Sequence, residues 1–327
     1  MAPLNQRNDD VSEAMGAEVC NKTIQSNGVS KEGVANGHSG GNTEAPLKNH
    51  GLYRTGFISM FMVFLMYYYG NVIVASSMPL DARQNEWTIM KSPVPILGIS
   101  VAYVLFVTWL GPLFMKGREP FKWLRTIMVV FNIAQVFFYV YIFYLYIVGG
   151  WNGTYSLTCQ VCDYSDNPNA IIMLHACYWY FISKLTDLFD TVFFVLNKKY
   201  EHISVLHAVH HAIMPINTYF VIRYYPGGHS TFMALLNSLV HIVMYTYYGV
   251  SAMGPQYRKY LWWKKYLTKM QITQFVLVII HESQMAFNDC PVPAPVPIWI
   301  GGSTSMFLLL FLDFYIKAYL NRKKKVE

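Results

Sequence analysis

The sequence predicts an all-α membrane protein with several spanning helices, and three observations favour this fold class. Of the 327 residues, 54% are hydrophobic and only 13% are charged, whereas roughly a quarter of a soluble globular chain is charged. The apolar residues form runs that match the ~20 residues a helix needs to cross a bilayer. The formal net charge of +7 comes from basic residues clustered between these runs, which membrane topology explains and which leaves no basic face for nucleic acid.

Four regions follow one another along the chain. Residues 1–52 are rich in Asn, Gly, Ser, Glu and Lys and lack apolar periodicity, so we expect a disordered tail without a signal peptide. Residues 53–94 hold an extra hydrophobic segment and a linker, residues 95–320 the main transmembrane domain, and residues 321–327 a basic tail. Eight segments are long enough to span: 56–77, 95–115, 126–149, 169–197, 203–223, 231–252, 266–287 and 297–320. For the first, a peripheral or re-entrant position is the alternative.

Basic residues occupy every second connection between these segments. Because cytosolic loops are enriched in Lys and Arg, we predict that this side and the C-terminus are cytosolic and that the 150–168 loop is lumenal. Asn152 starts an Asn-Gly-Thr sequon in that loop and is the predicted glycosylation site. Lys324 and Lys325 resemble the dilysine retrieval signal of the endoplasmic reticulum, so we expect a multi-pass protein of that membrane. The basic residues are Lys116, Arg118, Lys122, Arg125, Lys198, Lys199, Arg258, Lys259, Lys264, Lys265 and Arg322 to Lys325.

Five cysteines are too few for a disulfide scaffold. Cys159 and Cys162 form a CxxC pair, but no second pair lies at zinc spacing, so the metal signal is weak. A disulfide can form if their loop faces an oxidising lumen.

Polar and charged side chains interrupt four successive segments, although each charge in the middle of a bilayer costs roughly 2.5–3.5 kcal/mol. The first stretch, KLTDLFDT, places Lys184, Asp187, Asp190 and Thr191 at three- and four-residue spacings, so several of them share a helix face. A functional site and an intrahelical ion pair with snorkelling charges are both compatible with this pattern.

The second stretch, HAVHH, opens the next segment. Its spacings put His207, His210 and His211 on one side of a helix, which is difficult to explain by structural histidines alone. An imidazole can act as base, acid or nucleophile near neutral pH, and it is also the commonest metal ligand. The cluster by itself therefore leaves two chemistries open.

The third and fourth stretches, HIVMYTYY and TKMQITQ, continue the polar pattern into the next two segments. Polar side chains that join packed helices are the alternative explanation for each of them. Together, the four stretches predict helices that bring polar groups to one buried cavity near the cytosolic leaflet. The residues are Asn237, His241, Tyr245 and Tyr248 on one stripe, and Gln271 and Gln274 on a face that continues to His281.

These four stretches, in this order, resemble the signature of the very-long-chain fatty acid elongase family, which reads KxxExxDT, HxxHH, HxxMYxYY and TxxQxxQ. The likeness covers about residues 90–320. Asp187 stands where the family pattern has Glu, so we expect an ion pair with shifted geometry. The 56–77 segment lies outside the seven-helix core typical of the family, and the resemblance says nothing about it.

The resemblance implies a helical barrel around an acyl tunnel and a 3-oxoacyl-CoA synthase that condenses malonyl-CoA with a long-chain fatty acyl-CoA. His210 would carry the acyl group as an acyl-imidazole, and His241 would assist. The resemblance also implies a Cys159–Cys290 disulfide that leaves Cys162 unpaired. The residues expected to orient or polarise are His207, His211, Lys184, Asp187, Asp190, Asn237 and Tyr245, with Thr191, Tyr248, Gln271 and Gln274 against the substrate.

Partners and cofactors follow from the same resemblance. Arg258, Lys264 and Lys265 are basic side chains of a cytosolic loop that could hold the phosphates of CoA. We expect association with the reductases and the dehydratase of the elongation cycle, a homodimer as one further assembly, and no metal or cofactor.

Two other functions compete with this interpretation. A membrane di-iron desaturase or hydroxylase also uses an HxxHH box, but the ten histidines of this chain supply no second one. A transporter or receptor would line a solute path with the same polar stripes, and its function would survive the loss of His210.

Overall fold

The computed structural model describes residues 50–321, and every regular element in that range is helical. This confirms the predicted all-α fold class. Nine of the described helices have nine or more residues and are numbered in chain order: α1 (His50–Tyr69), α2 (Val94–Leu105), α3 (Leu124–Tyr146), α4 (Pro168–Thr186), α5 (Leu188–Leu196), α6 (Val205–Tyr224), α7 (Thr231–Ala252), α8 (Lys264–Ser283) and α9 (Pro295–Tyr315).

Helical turns prolong several of these elements to the length of a bilayer. Five helices of the described chain are long and apolar enough to cross a membrane, and the protein is a multi-pass membrane protein. The five spans, including their extensions, are Gly51–Ser77, Val94–Phe114, Leu124–Trp151, Thr231–Ala252 and Pro295–Leu320. The predicted segments 169–197, 203–223 and 266–287 are helical too, but their polar motif residues make them less apolar. Their position as spans stays a prediction.

One predicted segment differs in detail, because 169–197 is two helices rather than one. α4 ends at Thr186 and α5 begins at Leu188, so Asp187 lies at the junction. Its amide still donates to the carbonyl of Ser183 (2.9 Å) and its backbone stays in the right-handed helical region, so little backbone pairing is lost at the interruption. The break matters because it falls inside the first polar motif.

Local capping fixes where two of the motif helices start. The side chain of Asn167 accepts a hydrogen bond from the amide of Asn169, and Pro168 occupies the first turn of α4. The side chain of Ser204 accepts from the amide of His207 in the same way, so α6 begins just before the HAVHH motif. These caps fix the residue at which each of the two motif helices begins.

Six helices form a closed ring. α4 packs on α3, α3 on α7, α7 on α8, α8 on α9, α9 on α6, and α6 returns to α4. α2 packs on the outside of α6, and α1 packs against both α2 and α6. The N-terminal helix α1 therefore lies outside the ring, while the predicted seven-helix core stays a prediction.

The two ends of the ring carry different chemistry. At one end, Arg125 at the start of α3 donates from Nε to the carbonyl of Ala252 at the end of α7 (3.0 Å), and Lys264 begins α8 nearby in the chain. We call this the basic end. At the other end, a disulfide joins Cys159 in the loop after α3 to Cys290 between α8 and α9. We call this the disulfide end.

Candidate active site

A buried lysine lies at the centre of the polar motifs. Nζ of Lys184 lies 3.1 Å from Oδ2 of Asp187, 2.9 Å from Oδ1 of Asn237 and 2.9 Å from the hydroxyl of Tyr139. An ammonium group has three donors, and these three acceptors use all of them. The side chains of Lys184 and Asp187 are only 1% and 2% exposed. Full pairing is what makes such a charge tolerable away from water.

Tyr245 joins the two carboxyl groups of the first motif. Its hydroxyl lies 2.7 Å from Oδ1 of Asp187 and 2.8 Å from Oδ2 of Asp190. A phenol has one proton to donate, so both contacts are hydrogen bonds only when one carboxyl donates a proton of its own. Since Lys184 pairs with Asp187, Asp190 is the carboxyl suited to be the donor. The junction between α4 and α5 turns both carboxyl groups towards α7.

The three histidines of α6 have different surroundings. Nε2 of His207 lies 2.8 Å from the hydroxyl of Thr191, which also lies 2.8 Å from the hydroxyl of Tyr103. The ring of His211 packs against that of His207, with centroids 4.3 Å apart. His210 instead faces the central cavity, and its ring contacts Phe307 at a centroid distance of 4.9 Å. His210 is therefore the histidine of this motif that a molecule in the cavity can reach.

His241 lies beside the ion pair without a hydrogen bond to it. Its Nδ1 is 3.7 Å from Oδ2 of Asp187, and this buried nitrogen has no hydrogen-bond partner among the described residues. Its ring packs on Tyr139, with centroids 4.7 Å apart. An unpartnered imidazole nitrogen close to a carboxylate can accept or donate a proton once a substrate supplies the partner.

A cavity lies within the ring of helices. Most of the side chains that line it are apolar or aromatic, and His210, Asn237 and Gln274 line it together with Asn217 and several serines and threonines. Its lining runs along α6 from His210 to Tyr225 and along α9 from Phe307 to Trp299. A long apolar ligand with one reactive polar end fits a space of this composition.

The other predicted substrate residues are more dispersed. Gln274 lines the cavity, whereas the amide of Gln271 reaches Sδ of Met244 at 3.9 Å. The ring of Tyr248 packs edge-on against that of Tyr245. His281, on the expected continuation of the glutamine face, stacks on His229 with centroids 3.7 Å apart. The stripe of α8 therefore reaches the cavity through Gln274 rather than along its whole length.

The basic residues expected to hold CoA lie at the basic end. Arg258 is in an exposed turn, and Lys264 and Lys265 are half-buried at the start of α8, before the predicted span. Burial lowers the pKa of Lys264 to about 8. The charge of Lys264 is therefore present at neutral pH and is lost just above it.

Four residues outside the quoted motifs complete the site. Tyr139 bridges Lys184 and Asp187, since its hydroxyl also donates to Oδ2 of that carboxylate (2.7 Å). The amide of Gln135 donates to Oδ1 of Asp187 (3.4 Å). Tyr180 donates to Oδ1 of Asn237 (2.9 Å), and Tyr103 contacts Thr191. Gln135 and Tyr139 lie four residues apart in an apolar segment, and this helical spacing of polar groups could have identified them as part of the site. No pattern of this kind was used to identify Tyr103 or Tyr180.

The disulfide end contains the remaining predicted sites. Cys159 and Cys290 form the disulfide that the resemblance implies, and Cys162 is a buried free thiol. Burial raises the pKa of Cys162 to about 12. Asn152 is exposed in the same loop, at the position of the predicted glycosylation site. The predicted retrieval signal at Lys324 and Lys325 and residues 1–49 of the predicted disordered tail lie outside the described residues. Residues 50–52, assigned to that tail, instead form the first turn of α1.

The fold and the site define a class of protein: a multi-pass helical membrane protein with a buried polar network beside a mostly apolar cavity. The sequence matches the profile of the GNS1/SUR4 family (ELO) over residues 88–327. This chain belongs to that family.

Relatives from insects and a mammal agree with the profile. The chain is 48% identical over 246 residues to a very long chain fatty acid elongase of Aedes aegypti, covering 75% of this chain and 68% of the relative. It is 47% identical over 246 residues to very long chain fatty acid elongase 7 of Drosophila melanogaster, covering 75% and 74%. Against elongase 7 of Rattus norvegicus it is 48% identical over 241 residues, covering 73% and 85%.

These comparisons give no support to a di-iron desaturase or hydroxylase. Between positions 50 and 321, no three His, Cys, Asp or Glu side chains form a group that could hold a metal ion. In the HAVHH motif, His207 and His210 have different partners rather than a common centre.

Proposed function

We propose that this protein is a very-long-chain 3-oxoacyl-CoA synthase, which condenses malonyl-CoA with a long-chain fatty acyl-CoA. The names of its relatives supply the substrate class. The observation that carries the proposal is the position of His210, the imidazole of the HAVHH motif that lines the apolar cavity. A thioester with its chain in that cavity has its carbonyl within reach of this ring.

The first half-reaction transfers the acyl group to His210. An imidazole nitrogen attacks the thioester carbonyl, a carbon–nitrogen bond forms, the carbon–sulfur bond breaks, and CoA leaves as a thiol after taking up a proton. Apolar walls around the product protect the acyl-imidazole from water. The mostly apolar lining of the cavity supports this step.

The second half-reaction forms the carbon–carbon bond. Malonyl-CoA loses carbon dioxide, the resulting enolate attacks the acyl carbonyl, and the imidazole of His210 leaves with its electron pair, which gives 3-oxoacyl-CoA. An enolate needs donors aimed at its oxygen. His241, with its unpartnered Nδ1, and the side-chain amide of Asn237, which lines the cavity and whose oxygen is held by Lys184, are the groups suited to that task.

The buried polar network has an orienting role in this proposal. Asp187 and Tyr139 hold Lys184, Tyr245 ties Asp187 to Asp190, and Thr191 holds His207. His207 and His211 pack together behind the reactive ring. Because each group has a partner, little reorganisation is needed when charge develops. Gln274, Gln271 and Tyr248 are assigned to the substrate side of the same helices.

The ends of the ring complete the proposal. The basic end, with Arg258, Lys264 and Lys265, receives the CoA phosphates from the cytosol, and the disulfide end is lumenal, with Asn152 glycosylated. Residues 95–320 form the catalytic domain, located in the endoplasmic reticulum membrane by the dilysine tail. Association with the reductases and the dehydratase that process a 3-oxoacyl-CoA, and a homodimer, belong to the same proposal.

Expression in a host that lacks its own elongases tests the activity. The wild type is expected to produce new, longer fatty acids, and His210→Ala to produce none. His202→Ala is the matched control, since His202 is a histidine of the loop before α6 that does not line the cavity. Mass spectrometry of protein mixed with acyl-CoA alone should find the acyl group on the peptide with His210. Elongation by His210→Ala at wild-type level would refute the assignment of the nucleophile.

A further inference from the structure

The helix α1 lies outside the family match but is closely packed on the catalytic ring. The match begins at residue 88, whereas α1 ends at Tyr69 and continues as a helical turn, Gly70–Val74. That turn contacts both α6 and α9. This chain therefore adds an outer support at the seam between two helices whose inner faces line the cavity.

The contact at this seam is made by aromatic rings. Tyr69 packs against Trp299 of α9 with ring centroids 4.8 Å apart. Trp299 also lies 6.1 Å from the ring of Phe220 on α6. Gly70 allows this approach, because a Cβ at that position would overlap the ring of Phe220. A helix with a larger residue there could not approach α6 so closely.

Trp299 depends on these rings for its orientation. Its side chain lines the cavity and is 6% exposed. Its indole Nε1 has no hydrogen-bond partner among the described residues, so side-chain packing, including the contacts with Tyr69 and Phe220, holds the ring. Removing one neighbouring ring therefore frees the indole to move.

Among the residues of α9 that line the cavity, Trp299 lies farthest along the helix from Phe307, which contacts the reactive histidine. His210 contacts Phe307 on α9, and Trp299 precedes Phe307 by about 12 Å of helix towards the disulfide end. A chain attached at His210 and extended along the cavity meets Trp299 with its terminal carbons. The position of the indole then limits how long that chain can be.

We propose that Tyr69 of α1 is a positioning residue that sets the acyl chain length by holding Trp299 at the end of the cavity. This inference rests on the proposed function. Tyr69 lies behind Trp299 and touches no substrate itself. Without its ring, the indole retreats towards α1, the cavity deepens, and longer chains fit.

Fatty-acid profiling of single variants in the elongase-deficient host tests this role. Tyr69→Ala is expected to shift the main product by at least two carbons and to raise the ratio of the longer to the shorter product about 10-fold, since each methylene is discriminated by ~10–200-fold. Tyr69→Phe keeps the ring and should match the wild type. Tyr68→Ala is the matched control, because its ring is 64% exposed on the outer face of the same helix. Trp299→Ala should shift the products in the same direction and at least as far.

A binding measurement separates this inference from the proposed activity. The melting temperature of the purified protein is measured with a series of acyl-CoA thioethers. These compounds cannot transfer their chain, and each is two carbons longer than the one before. The chain length that raises the melting temperature most should be longer for Tyr69→Ala than for the wild type. If the wild type elongates nothing, the proposed function fails, and this measurement alone decides the role of Tyr69. An unchanged optimum in both experiments, or an equal shift in Tyr68→Ala, overturns it.

Discussion

Two Lys–Asp pairs of this protein lie in opposite environments. Lys184 and Asp187 are 3.1 Å apart, and their side chains are 1% and 2% exposed. Lys317 and Asp313, near the end of α9, are only 2.6 Å apart, but their side chains are 70% and 59% exposed. The shorter contact is the weaker one, because this pair lies in the last turns of the Pro295–Leu320 span, next to its basic end, where water and mobile ions screen it and it is worth ~0–1 kcal/mol.

The comparison shows that burial and additional partners, rather than distance, determine what an ion pair does. Both members of the buried pair have further hydrogen-bond partners, including Tyr139, Asn237 and Tyr245. A buried charge that loses its partner is left without compensation. The buried pair is therefore a fixed element of the proposed site, whereas the exposed pair can be lost without consequence for the fold.

The largest effect is expected when the buried pair is broken. Asp187→Ala leaves Lys184 as an uncompensated buried charge and should lower the free energy of unfolding by ~3–5 kcal/mol. Denaturant unfolding in detergent measures this difference, and elongation should be lost in the same variant. Asp313→Ala is the control and should cost no more than ~1 kcal/mol. Equal losses in the two variants would contradict the comparison.

A smaller effect is expected when the pair stays and one of its partners is removed. Tyr139→Phe deletes the hydroxyl that donates to Asp187 and accepts from Lys184. Hydrogen bonds to charged groups contribute ~1.5–3 kcal/mol, and we expect a loss of this size. Tyr141→Phe, an exposed tyrosine on the same helix, should change stability little. A Tyr139→Phe variant as stable as the wild type would show that the ion pair needs no third group.

A third variant keeps the buried carboxylate but lengthens its side chain. Asp187→Glu supplies the residue of the elongase pattern and keeps the charge, but it adds a methylene to a packed site. Overpacking typically costs ~1–3 kcal/mol, so this variant should be more stable than Asp187→Ala and should retain elongation. Unfolding and product formation measured side by side test this. A variant as unstable as Asp187→Ala would mean that geometry outweighs charge at this position.

The smallest effect concerns Lys264, whose burial is intermediate between the two pairs. Burial lowers its pKa to about 8, so the ammonium group is charged below that pH and neutral above it. If it holds a CoA phosphate, the apparent KM for acyl-CoA should rise as the pH increases from 7 to 9. A partly exposed charge contact is worth ~0–1 kcal/mol, so the rise should not exceed about fivefold.

An arginine variant separates this charge from other titrating groups. Lys264→Arg keeps its charge throughout this pH range and should flatten the rise in KM. Steady-state rates of the two proteins at matched pH values provide the measurement. A Lys264→Arg protein with the same pH dependence as the wild type would remove Lys264 from the CoA site.

Much of the fold could be predicted because hydrophobicity is a local property. The helical segments followed from apolar runs, and the break at Asp187 was missed because helix termination there depends on how α4 and α5 pack, not on a Gly or Pro signal. Likewise, the spacing of HAVHH placed His207, His210 and His211 on one side of a helix. It could not reveal that His207 meets Thr191 while His210 faces the cavity, since that difference depends on the neighbouring helices.

The membrane class, the helices and the order of the polar motifs could be predicted, because composition and periodicity are properties of consecutive residues. The contacts of Tyr139, Tyr180 and Tyr103 with those motifs, and the contact of Tyr69 with Trp299, are visible only in the folded chain. Such contacts join residues far apart in the chain. They form because the helices pack into a closed ring. In its interior most buried polar groups are hydrogen-bonded, and large aromatic side chains fill the remaining space.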